Sequence, residues 1–296
     1  MLRTRRKTIF TVLVGLALIM WAVGGTLWYS NLYMNKERRF WAAIGNGLRT
    51  NSVVKEQIQD SPNGETTQLS RMSFGSNLYS AGKTKIYNRT STTTNSTVIT
   101  ETLSTADKSY VRYNSIDTNE KREDGSDFKF DDVLGKWAVR SDEASTREQM
   151  KQQLAENFIQ LVPFSQLSEK QASEFVAKLQ ATNAYTVDYN TVAEDSENKL
   201  TVYDVTVNAK PYVVALSDLF KQMGFGEVSA LDASQYDDTS TIKIKVAIDG
   251  TNLVRKVAFS NEDFETYRDY GAVIAANIPQ DPLSFTDLQT RLQNAR

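Results

Sequence analysis

Three serine–lysine pairs stand at Ser-x-x-Lys spacing: Ser52/Lys55, Ser80/Lys83 and Ser196/Lys199. A lysine desolvated enough to lose its proton can serve as base for a serine nucleophile. None of the three opens a helical pattern, and no Lys-Thr-Gly partner occurs, so the acyl-transfer arrangement is not built. Gly82-Lys83-Thr84 has the tail of a phosphate-binding loop. The glycine needed five positions earlier is Asn77, and strand-like alternation follows where a helix should begin. Asp124, Asp127, Asp131 and Asp132, and separately Asp237 and Asp238, could offer oxygens to calcium. Asp124-Gly125-Ser126-Asp127 lacks the alternation and closing glutamate of a calcium loop and reads as solvated chain. Asn88-Arg89-Thr90 and Asn95-Ser96-Thr97 match glycosylation acceptors, a cheap match in a Ser/Thr-rich region. The chain contains no Cys and no His. Disulfides, thiol nucleophiles, Ser-His-Asp triads and histidine-ligated metals are therefore excluded. No catalytic residue, metal or cofactor is implied, and the expected role is not enzymatic.

Charge and hydropathy then set the location. Residues 8–33 hold no charged side chain, and "TIFTVLVGLALIMWAVGGTLWY" is apolar nearly throughout. About 20 such residues cross a bilayer core as a helix. Trp28, Tyr29 and Tyr33 gather at one end, where amphipathic rings favour the interface. Arg3, Arg5, Arg6 and Lys7 precede the run, which predicts a cytoplasmic tail over 1–7, a single-pass anchor over 8–33 and a domain outside over 36–296. The run is longer than the h-region of a cleaved signal, and "AVG" at 22–24 is a poor cleavage site. Setting aside the seven basic residues and one acidic residue up to Arg39 leaves 27 Lys+Arg against 35 Asp+Glu, a net charge of −8. Nucleic acid is excluded as a partner, because its binding runs on excess positive charge.

The elements follow from periodicity. Phe40, Ile44 and Leu48 lie on one stripe of a first helix. Residues 52–140 alternate in short Thr-, Ser-, Tyr- and Val-rich runs, with "SPNG" as a hairpin turn and 117–132 as a charged loop. A helical pair is expected over 145–181. Ser145 with Glu148 and Ser168 with Gln171 form its two capping boxes. Strands return over 184–208 with a turn at "DSEN". A helix begins at Pro211, a favourable first-turn residue, and a hairpin turns about Gly250. In "YRDYGAVIAANIP", Tyr267 and Tyr270 are expected in strands, Gly271 at a bend and Pro279 at a strand end. A short helix capped by Ser284 and Asp287 closes the chain. This order predicts an α+β fold: a curved, mainly antiparallel sheet (a half-barrel) covered by helices.

The hairpin "VAIDGTNLVRKVAF", the aromatic-Asp-Tyr-Gly segment ending at Pro279, and "GKWAV" around Trp137 together resemble the LolA/LppX/LprG-like lipid and lipoprotein carrier superfamily. The resemblance covers residues 40–282 and rests on element order. It implies a lipid or other apolar ligand held between sheet and helices. Members are commonly secreted or held by a lipidated Cys, whereas this chain offers an apolar helix. The large apolar residues Met150, Leu154, Phe158, Val162, Phe164, Phe175, Leu216, Phe220 and Met223 are the candidate lining. Transfer of a ~16-carbon chain from water is worth on the order of 10 kcal/mol, so a modest gap between sheet and helices would suffice. If helices and sheet touch, the same residues make an ordinary core, and the domain becomes a scaffold docking an envelope protein.

Overall fold

The computed structural model describes residues 36–89, 94–140, 147–272 and 274–295. The anchor expected over 8–33 and the first capping residue, Ser145, lie outside the described residues. Among the described residues no helix is long and apolar enough to cross a membrane.

The chain opens with α1 (Lys36–Leu48), whose stripe of Phe40, Ile44 and Leu48 is buried as its spacing requires. A meander follows: β1 (Ser52–Ser61), β2 (Gly64–Ser73), β3 (Tyr79–Arg89), β4 (Asn95–Thr105), β5 (Ser109–Thr118) and β6 (Ala138–Arg140). Pro62 and Asn63 make the first turn, pairing Ser61 with Gly64. Next come α2 (Arg147–Glu156) and α3 (Glu169–Ala181), then the hairpin β7 (Tyr185–Asp195) and β8 (Leu200–Asn208). After α4 (Ala209–Gln222) a second meander runs through β9 (Thr241–Ile248), β10 (Val254–Ala258) and β11 (Asp263–Arg268). The chain ends with β12 (Leu283–Ser284) and α5 (Phe285–Ala295). Ser168 and Gln171 form the expected capping box of α3, and Ser284 Oγ accepts the Asp287 N–H at 3.0 Å.

All twelve strands belong to one open sheet in the order β12-β6-β5-β4-β3-β2-β1-β11-β10-β9-β8-β7. Every pairing is antiparallel except β12 with β6. The two meanders are fused where β1 meets β11, with Val54 opposite Arg268. The fold is thus α+β around a large, mainly antiparallel sheet.

Side chains alternate along a strand, and cross-strand partners share a face, so the register assigns every residue to a side. One side carries Val53, Met72, Tyr203, Val205, Val246, Val257 and Tyr267, which pack with α1 to α4 into the main core. Toward the β6 edge the same side carries Val111, Tyr113 and Ala138, covered by Leu288 and Leu292 of α5. The other side holds a small cluster of Tyr79, Leu103 and Tyr110 with Ala81, Trp137, Val139 and Ala276.

Two expectations need correction. The first helix of the pair ends at Glu156 rather than near Leu161. Beyond it, Phe158, Val162 and Phe164 turn into the core. The carbonyls of Gln160 and Leu161 are free of a helix ladder and accept the Tyr212 and Tyr185 hydroxyls at 2.5 and 2.6 Å. The second correction concerns the close of the chain. Tyr267 lies in β11, but Tyr270 does not, and among the described residues no strand follows from Gly271 to Pro279. The cause is topological: β11 already has β1 and β10 on its two edges, so the continuing chain cannot pair beside β11 and next joins the sheet only at β6. Asp269 and Gly271 adopt positive φ values of 53° and 74°, and the chain leaves the sheet plane.

Candidate functional site

Residues 269–272 and 274–282 lie along a strap. They run from β11 to β12, which are seven strand positions apart in the sheet. At ~4.8 Å per strand that is about 34 Å. Fourteen residues reach roughly 46 Å or more when extended, so the segment can cross without a helix or a loop to spare. Its tethers mark the path. The Gly271 N–H donates to the Ser52 carbonyl at 2.9 Å, and Ser52 Oγ–H donates to the Ala272 carbonyl at 2.7 Å. Midway, the Tyr79 hydroxyl donates to the Ile274 carbonyl at 2.7 Å. At the far end the Leu283 N–H donates to the Trp137 carbonyl at 2.8 Å. Tyr79 shares its face with Ala81, Leu103 and Tyr110, so the strap lies on the side opposite the helices.

Between strap and sheet is a cleft of about 610 Å3, within the ~300–1,000 Å3 usual for small-molecule sites. Its floor is a register row: Arg268 (β11), Val54 (β1), Arg71 (β2), Ala81 (β3) and Leu103 (β4) stand directly opposite one another in turn. Two residues along lies Leu69, Lys83, Glu101 and Arg112, again in register. Trp137 closes the β6 end, and Ile274, Ala276 and Pro279 form the roof. The small floor residue Ala81 leaves room above it. Larger ones at Tyr79, Leu103 and Trp137 supply apolar walls.

The charges are unequal. Arg71, Lys83, Arg112 and Arg268 face Glu101 and Asp269, a net of +2 in a chain whose net charge beyond Arg39 is −8. Arg112 is satisfied: it donates to Glu101 Oε2 from Nη2 at 2.5 Å and from Nε at 3.0 Å. Its guanidinium also lies 4.7 Å from the Trp137 ring centre, within cation–π range. Asn114 completes the Glu101 carboxylate at 2.8 Å. Partial burial raises the Glu101 pKa, but the bonds from Arg112 and Asn114 and the nearby Lys83 charge outweigh it and hold it below the ordinary value. Burial pushes the Tyr79 hydroxyl up, against the lowering charge of Arg71. Arg71 itself is not satisfied. Its Nη1 is buried without a hydrogen-bond partner among the described residues.

A second hollow, about 910 Å3, lies on the same face over β8 to β11. It has no strap residue in its lining, and its charges answer one another. Lys245 meets Asp204 at 2.5 Å, Arg255 meets Asp249 at 2.6 Å, and Lys256 sits 3.9 Å over the Phe264 ring. It reads as a solvated sheet face.

The residues proposed from sequence lie elsewhere. Met150, Leu154, Phe158, Val162, Phe164, Phe175, Leu216 and Phe220 are buried, and Met223 is partly buried against the main core. Phe158 packs on Phe74 at 5.1 Å and Phe220 on Phe225 at 5.5 Å. None of the nine lines the strap cleft. The Ser-x-x-Lys pairs do not assemble. Ser52 and Lys55, like Ser80 and Lys83, lie three apart on strands and so point to opposite faces. Gly82-Lys83-Thr84 is mid-strand, and Asp124 folds back on Ser126. No cluster of three or more metal-ligating side chains occurs among the described residues.

Sequence reading missed Arg71 as a site residue, although part of the signal was present. The "SPNG" turn fixes the β1–β2 register and so places Arg71 beside Val54. Ala81, Leu103 and Arg268 join the row only through longer-range pairing.

No family model matches the chain, and no curated protein matches it. Among solved structures, the crystal structure of LprF from Mycobacterium bovis aligns with 83% of this chain and 96% of its own. The identity is 14% and the TM-score 0.36. So loose a likeness carries none of the argument here.

Proposed function

We propose that this chain is a non-catalytic binding protein, held at the outer face of a membrane by residues 8–33, that takes an apolar molecule beneath its strap. The observation that supports this most is the roofed cleft itself. Trp137 at the β6 end is only half-buried, and Ile274 on the strap remains 48% exposed. Apolar surface that neighbours have not consumed is what a ligand can bury. At ~25 cal/mol per Å2, each 40 Å2 of such surface that a ligand covers would contribute about 1 kcal/mol. No covalent step is assigned, because the Ser/Lys and carboxylate groups do not converge.

The test is native mass spectrometry of the full chain released from a nonionic detergent, followed by displacement of a fluorescent fatty acid. The wild type should carry or accept the probe. Ala81→Trp, which fills the floor, should not. A wild type that carries no lipid and ignores the probe would remove this reading. The scaffold reading would then take its place, favoured by the closely packed core that seven of the nine candidate residues help to form.

A further inference from the structure

We infer that the strap cleft selects amphiphiles with an anionic head, phosphate or carboxylate, which Arg71 binds while the apolar body lies against Trp137 and Ile274. This rests on the cleft being the ligand site and adds the ligand's charge and orientation. Three observations meet here. A buried guanidinium nitrogen without a hydrogen-bond partner is costly to maintain, and Arg71 Nη1 is one. It stands directly between Val54 and Ala81 on the cleft floor, with the Tyr79 hydroxyl close enough to feel its charge. Two further cations line the same cleft: Lys83, two residues beyond Ala81 on β3, and Arg268, opposite Val54 on β1. Neither has an ion-pair partner within 4.0 Å among the described residues.

The carboxylates do not cancel this. Glu101 is committed to Arg112 and Asn114, and Asp269 is exposed. A neutral lipid would leave the Nη1 of half-buried Arg71 unanswered, whereas an oxyanion supplies acceptors for its planar fork. A free inorganic anion would satisfy the charge but leave Trp137 and Ile274 uncovered. The composition of the cleft therefore selects both ends of one molecule.

Calorimetric titration of the full chain in nonionic detergent tests this with octyl phosphate, octanoate, octanol and inorganic phosphate. The wild type should bind octyl phosphate, octanoate or both about tenfold more tightly than octanol or inorganic phosphate, as one charge-assisted bond predicts. Arg71→Met should erase that preference and leave octanol unchanged. Lys83→Met, an exposed position that tolerates change, should reduce the preference about threefold. Which anion responds identifies the head group. If Arg71→Met weakens octanol as much as the anions, or changes neither, the anionic selection is wrong while the apolar site stands. Inorganic phosphate binding as tightly as octyl phosphate overturns the amphiphile. If no octyl compound binds the wild type, the cleft is not a ligand site and both readings fall.

Discussion

Lys55 and Arg71 leave neighbouring strands on opposite faces of one sheet, and the two faces treat charge differently. Under the helices Lys55 is 8% exposed. Its ammonium meets Glu265 Oε1 at 3.0 Å and Gln57 Oε1 at 3.3 Å. The Tyr267 hydroxyl donates to the other Glu265 oxygen at 2.5 Å and lies 3.4 Å from Gln160 Oε1. Burial, reinforced by the Glu265 charge, drives the Tyr267 pKa far up, so it stays a donor. Tyr212 and Tyr185, also raised mainly by burial, anchor the chain around Gln160 and Leu161. Under the strap, by contrast, the cations outnumber the carboxylates. A charge answered on every side by its own protein holds a fold together, and one left unanswered in a cleft is available to something else.

The largest test of that contrast is Glu265→Ala. Removing one partner of a buried pair strands Lys55, and unfolding in urea should show a loss of about 3–5 kcal/mol. The double change Lys55→Met with Glu265→Leu should recover most of it, since an apolar pair of similar volume avoids the desolvation cost. Leu154→Ala, in the fully buried core on the same face, should cost about 2–5 kcal/mol and leave octyl phosphate affinity of the folded protein unaltered. A loss of affinity in either case would mean that the two faces are coupled.

On the strap face the effects should be smaller. Tyr79→Phe removes the bond to the Ile274 carbonyl and should cost about 1 kcal/mol, with faster hydrogen exchange along residues 274–278 than elsewhere. The smallest effect concerns pH. Because the folded Glu101 pKa is depressed, its contribution is complete above the unfolded value of ~4.3 and disappears as pH falls through the folded value. With Glu101 and Arg112 side chains 25% and 31% exposed, that contribution is of order 1 kcal/mol or less. Glu101→Gln should flatten stability against pH in that acidic window alone.

The local elements were legible in the sequence because their causes are local. The Ser168–Gln171 box, the Pro62–Asn63 turn, the hairpin about Gly250 and the Phe40–Ile44–Leu48 stripe each need only neighbouring residues. What could not be read was which strands become neighbours. β1 pairs with β11 across more than 200 residues, and that pairing both occupies the edges of β11 and brings Arg268 into line with Arg71. Alternation placed Arg71 on a strand but could not say that Leu103 and Trp137 would share its face. The "AVIAANIP" run looked like a strand because its residues suit one. Its actual path depends on β11 having no free edge of its own, which the order of the whole sheet decides.

The strap has one further consequence. It passes without interruption into Leu283 and Ser284, which grip the β6 edge, and then into α5, whose Leu288 is seated beneath the sheet. The closing helix therefore works as the knot at the end of a drawstring. Prising it from its seat, by a protease or a docking surface, would let the cord slacken along its length and uncover the cleft from the Trp137 end first.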